Sequence, residues 1–98
     1  MTVQRDPERN ERKALNRLMD FKGKHVLEIG CGEGRLTWQY AAACARVTGV
    51  DLDLTALRIA RADAPASVDR KVQFSAADSG WLPFPREKFD LAVLAWSL

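Results

Sequence analysis

The run Val26-Leu27-Glu28-Ile29-Gly30-Cys31-Gly32-Glu33-Gly34 joins a short apolar segment to three glycines at alternate positions. His25–Ile29 is apolar on both faces and bounded by Gly23 and Gly30, so it is predicted to be a buried strand. Gly30 and Gly32 allow the backbone to turn sharply and to approach a ligand with no Cβ in the way. Gly34 is expected to open a helix, whose free N–H groups and dipole favour an electron-rich or anionic group.

Outward from this run, helix and strand signals alternate. Arg35–Ala45 is predicted helical, with Leu36, Tyr40, Ala43 and Cys44 inward. Val47–Val50 reads as a second strand, ended by residues 51–53. Thr55–Ala64 reads as a second helix, with Ala56, Leu57, Ile59 and Ala60 on its apolar side and Pro65 closing it. Val72–Ala76 is a third strand and Phe89–Ala95 a fourth. Pro83 and Pro85 exclude a long regular element between them. Upstream, Asp6 and Pro7 begin a helix to Asp20 with a stripe of Ala14, Leu15, Leu18 and Met19, and Gly23 breaks the chain before the first strand. The order implies an α/β fold, a parallel sheet with crossover helices and strands apolar on both faces.

Composition narrows the function classes. The chain has 98 residues, 47% hydrophobic and 29% charged, which fits one small globular domain. A net charge of +2 is too small to argue for nucleic acid or an anionic membrane, and its excess lies in residues 1–24, as on a solvated helix face. No apolar run nears the ~20 residues of a membrane span, and MTVQRDPERNERK lacks the core of a signal peptide. Cys31, Cys44 and the single histidine, His25, do not form zinc spacing, so no metal is expected. A reduced, cytoplasmic protein is the simplest fit.

The glycine spacing is G-x-G-x-G, and Arg35 stands where a dinucleotide fingerprint has its third glycine. That argues against an NAD(P)-dependent oxidoreductase. Asp51 follows Gly30 by 21 residues, at the end of the second strand, where a carboxylate accepts both hydroxyls of a ribose. This signal alone fits either nucleotide cofactor.

Four segments taken together, VLEIGCGEGRLT (26–37), GVDLD (49–53), AADSGWLPF (76–84) and FDLAVLAWSL (89–98), resemble in order and spacing the S-adenosylmethionine (SAM) dependent methyltransferases of the broad type 11 group. The resemblance covers roughly residues 24–98. It implies a Rossmann-like three-layer αβα fold of class I, SAM as cofactor and a small-molecule methyl acceptor. It implies a cofactor cradle of Glu28, Gly30, Cys31, Gly32 and Gly34 on the methionine side. It further implies Asp51 on the ribose, Leu52 on the adenine face, Asp78 on the adenine amino group with Ser79 near it, and Ala95 with Trp96 where cofactor and acceptor meet. SAM carries a sulfonium and an amino group, so an acid near the turn, Glu28, helps to hold it directly or through water. Residues 1–23 are expected to form a helical lid and residues 24–98 the SAM-binding half-domain.

Each residue also has a plainer reading. Glu28 could cap the turn's own N–H groups, Asp51 could cap the next helix (though Asp53 is better placed), and Asp78 could be an ordinary turn residue. Cys31 fits a small residue filling a tight turn better than a nucleophile, because His25 lies at the far end of the strand. Trp81 and Trp96 fit either a pocket wall or aromatic burial. No catalytic base is assigned; methyl transfer needs one only if the acceptor must first lose a proton.

Class I methyltransferases resemble one another in a seven-stranded sheet, and this sequence supplies four strands. The fourth would then present an unpaired apolar edge, so a fragment, or a chain covered by its own copy or another subunit, is expected. A non-catalytic SAM-binding module is the alternative function. A nucleic-acid or protein methyltransferase ranks low, because the fourth strand ends Ala95-Trp96-Ser97-Leu98 and not in Asn/Asp-Pro-Pro-Tyr.

Overall fold

The computed structural model describes residues 20–78 and 88–95. Residues 6–19 of the expected N-terminal helix, together with Ser79, Trp81 and Trp96, lie outside them. Four parallel strands form one sheet: β1 (His25–Ile29), β2 (Arg46–Asp51), β3 (Val72–Ala76) and β4 (Leu91–Leu94), in the order β3-β2-β1-β4. Between β1 and β2 run a short helix α1 (Thr37–Tyr40) and a 3-10 turn, Ala41–Ala43; between β2 and β3 run α2 (Leu54–Ala62) and a 3-10 turn, Asp69–Lys71.

Register and pleat put Val26, Glu28, Val47, Gly49, Phe74, Leu91 and Val93 on one face of the sheet. Both crossovers pack there. Leu36, Tyr40, Ala41 and Cys44 join Val26, Val47 and Val93 in one apolar cluster, while Leu57, Ala60, Cys31 and Phe74 form a second. Two right-handed connections stepping in one direction must share a face. The prediction that strands are apolar on both faces holds for β1 and β2, where Leu27, Thr48 and Val50 are also buried. It does not hold for β3 and β4, where Gln73 and Ala92 on that second face are exposed. Among the described residues these two are the edges of the sheet.

The first crossover departs from its expected form. The predicted helix over 35–45 shrinks to four residues, because Tyr40 adopts φ −127° and the chain tightens into the 3-10 turn. Its three-residue period turns Ala41 and Cys44 inward and leaves Ala43 exposed, contrary to the expectation for Ala43. Outside donors hold the carbonyls this frees. Gly23 N–H donates to Ala43 O at 3.0 Å, and Lys71 Nζ donates to Ala42 O and Cys44 O, each at 2.9 Å.

The second helix starts where its cap dictates. Asp53 is extended (φ −83°, ψ 98°) and its carboxylate accepts Ala56 N–H at 3.1 Å. Ala56, Leu57 and Ala60 are buried, but Ile59, predicted inward, is exposed at 37%. β4 is pinned at its start by a reciprocal pair with β1. His25 N–H donates to Asp90 Oδ2 and Asp90 N–H to His25 O, each at 2.8 Å.

Candidate cofactor site at the carboxyl edge of the sheet

In open α/β sheets ligands lie outside the carboxyl ends of the strands, where the strand order reverses. Here the chain steps from β1 to β2 to β3 on one side and returns to place β4 on the other, so the switch point lies between β1 and β4. Every described residue of the expected site stands at this edge. Gly30, Cys31, Gly32 and Gly34 follow β1, with Glu28 within its last two residues, and Asp51 ends β2 with Leu52 just after it. Asp78 follows β3. Ala95 follows β4 and donates its N–H to Ile29 O at 2.9 Å, so it sits beside the start of the glycine turn.

The turn depends on its glycines. Gly30, Gly32 and Gly34 have φ of 78°, 55° and 83°, in the left-handed region. At Gly32 a Cβ would meet nothing within 4 Å, so the turn leaves open space on that side. At Gly34 it would meet the Trp38 indole at 3.0 Å. Trp38, half-buried, in turn sets its edge against Phe74, with centroids 5.7 Å apart and planes at 84°.

The amides of the turn look inward. Gly30 and Cys31 N–H donate to Val50 O at 2.9 and 3.2 Å, Gly34 N–H to Cys31 O at 3.0 Å, and Gly32 N–H to Asp51 Oδ2 at 2.8 Å. The helix expected to begin at Gly34 begins at Thr37 and has only four residues. The turn is therefore not a row of amides awaiting a pyrophosphate; it is an open backbone surface stitched to the end of β2.

Glu28 is fully enclosed, at 0% exposure. Its Oε1 accepts Thr37 Oγ1 at 2.8 Å and the Tyr40 phenol, so the carboxylate binds side chains of α1. Tyr40 also stacks on Phe21 at 4.5 Å. Burial, with the Glu28 charge beside it, pushes the Tyr40 phenol well above its ordinary value. The Cys31 thiol is buried as well. Burial first, then the Glu28 and Asp51 charges, raise it far above the usual thiol range, so it stays protonated and inert. Only the main chain of Cys31 can line the site. Cys44 is likewise raised, to about 11, chiefly by burial.

Asp51 is half-buried. Besides holding Gly32, it accepts Asp53 N–H on Oδ1 at 2.9 Å. Leu52 beside it is 69% exposed and Leu54 57%, so both apolar side chains stand bare at this edge. Asp78 is exposed. Sequence reading did not find Thr37 and Tyr40 as partners of Glu28. Nor did it find Gly49, where a Cβ would come within 2.9 Å of Cys31 Sγ and 3.0 Å of the Phe74 ring. The signal for the first was a pair of hydroxyls three residues apart on the helix after an acid-bearing strand; the second has no local signal. Among the described residues no group of three His, Cys, Asp or Glu side chains could hold a metal ion, and no helix is long and apolar enough to cross a membrane.

Comparison with known proteins agrees with this layout. The family described as the methyltransferase domain matches residues 26–98. An O-methyltransferase of Pyrenophora dematioidea is 32% identical over 99% of the chain. The crystal structure of a SAM-dependent methyltransferase from Mesorhizobium loti superposes over 84% of the chain with a TM-score of 0.69 and 31% identity. An RNA methyltransferase from Salinibacter ruber, in complex with S-adenosyl-L-homocysteine, shares the fold over 93% of the chain and 60% of its own, with a TM-score of 0.75 at 21% identity. The chain spans 37% of the Pyrenophora protein and 38% of the Mesorhizobium one. On the family match, the identity and the four-stranded parallel sheet, this chain belongs to the class I SAM-dependent methyltransferases.

Proposed function

We propose that the carboxyl edge binds SAM and serves methyl transfer to a small-molecule acceptor. The observation that carries this reading is the meeting of three features at one edge: an open glycine turn, a half-buried carboxylate and a bare leucine. When bound, SAM supplies a methyl group already activated by a sulfonium; the acceptor's lone pair forms the new carbon bond while the carbon–sulfur pair stays on sulfur. The protein's part is to align acceptor, carbon and sulfur and to exclude water.

In this reading Gly30, Cys31, Gly32 and Gly34 offer main chain to the methionine portion. Glu28 acts from beneath the turn, its charge favouring the cationic end of the ligand. A carboxylate has about four lone-pair sites, so Asp51 can accept two ribose hydroxyls in addition to its two amides. Leu52 packs on the adenine face, Asp78 and Ser79 meet its amino group, and Ala95 lies by the transferred methyl. The lid assigned to residues 1–23 ends before Phe21, which is buried in the core against Tyr40. The name of the Pyrenophora relative favours an oxygen as acceptor atom.

Leu52 gives the cleanest test, because its exposure means that it contributes little to folding. Leu52→Ser is expected to leave the melting temperature unchanged and to weaken S-adenosylhomocysteine binding about tenfold, or roughly 1.4 kcal/mol. Unchanged affinity would remove the adenine from this edge.

A further inference from the structure

We propose that Asp51 is a positioning residue for the glycine turn as well as a ribose acceptor, so that the ribose and methionine subsites are coupled through one carboxylate. This rests on the SAM reading above. The end of β2 is the template on which the turn is laid: Val50 O takes the amides of Gly30 and Cys31, and Asp51 Oδ2 takes that of Gly32. Gly32 needs this hold most. Nothing within 4 Å crowds its Cβ position, and glycine has little intrinsic reason to stay at φ 55°. The bond from a half-buried carboxylate selects that conformation, and charge-assisted bonds are the stronger kind.

The carboxylate is itself fixed. Asp53 N–H holds Oδ1 at 2.9 Å, and the Asp51 carbonyl accepts Ala77 N–H at 3.1 Å, which ties the residue to the loop after β3. Both oxygens thus face an N–H donor. Asparagine cannot satisfy both, because its NH2 must face one of them. Its effect should therefore reach the part of the ligand that Asp51 does not touch.

The test is a cycle between protein and ligand. S-adenosylhomocysteine and its analogue lacking both ribose hydroxyls are titrated into the wild-type chain, Asp51→Asn and Asp53→Ala. Asp53→Ala is the control, because it removes the α2 cap and leaves the Asp51 bonds in place. If Asp51 acted on the ribose alone, the dihydroxyl-free analogue would bind wild type and Asp51→Asn equally, and that result overturns the proposal. The expected result is an about tenfold weaker analogue complex with Asp51→Asn and an unchanged one with Asp53→Ala. Wild-type protein that binds neither compound overturns this proposal and the SAM reading together. In the ligand-free protein, the Gly32 amide proton resonance should move on Asp51→Asn; an unmoved resonance overturns the coupling alone.

Discussion

Glu28 shows what a single residue near the site is made to do. A carboxylate at 0% exposure needs polar partners, and here Thr37 and Tyr40 both donate to its Oε1. Tyr40→Phe keeps the stack on Phe21 and removes the phenol. It should cost about 2 kcal/mol in chemical denaturation, the scale of a hydrogen bond to a charged group; a loss below about 0.5 kcal/mol would mean the bond is idle. The glycine turn, and the position of Glu28 and Asp51 beside it, were legible in the sequence because glycine carries strong local meaning. The partners of Glu28 were not, because they depend on where α1 docks. Gly49 makes the same point. It reads as an ordinary strand glycine, yet its missing Cβ is the space that Cys31 and Phe74 fill.

At the scale of elements, all four strands were legible, with ends within about two residues. Apolar runs bounded by turn residues specify buried strands well. The first crossover was not legible, since the alanines of residues 41–43 favour a longer helix by propensity. Tertiary donors, Lys71 and Gly23, stabilise the tighter turn instead. The β1–β4 junction carries a pH dependence. Burial, Lys88 and Arg46 lower the His25 imidazole below 6.5, outweighing Asp90, so the folded state favours neutral His25. The unfolded chain therefore protonates first as pH falls. The contribution of His25 is complete above about pH 6.5 and is lost as pH drops toward the folded-state value. Because His25 is the only histidine, its ring protons report this directly. An NMR midpoint below 6.5 is expected; one at or above 6.5 would mean that burial and the neighbouring cations do not outweigh Asp90.

At the scale of the molecule, the sheet order places a switch point between β1 and β4, and the site sequence and topology both indicate is the same edge. The chain corresponds to a little over a third of the length of its Pyrenophora and Mesorhizobium relatives. The family was legible and the acceptor was not. Cofactor recognition is written in short local motifs, while methyl transfer needs alignment more than any one side chain. The most direct test is calorimetric titration of the purified chain with S-adenosylhomocysteine, with NAD as control. Saturable one-site binding of the first and none of the second is the result this account predicts; binding of NAD, or of neither compound, would contradict it.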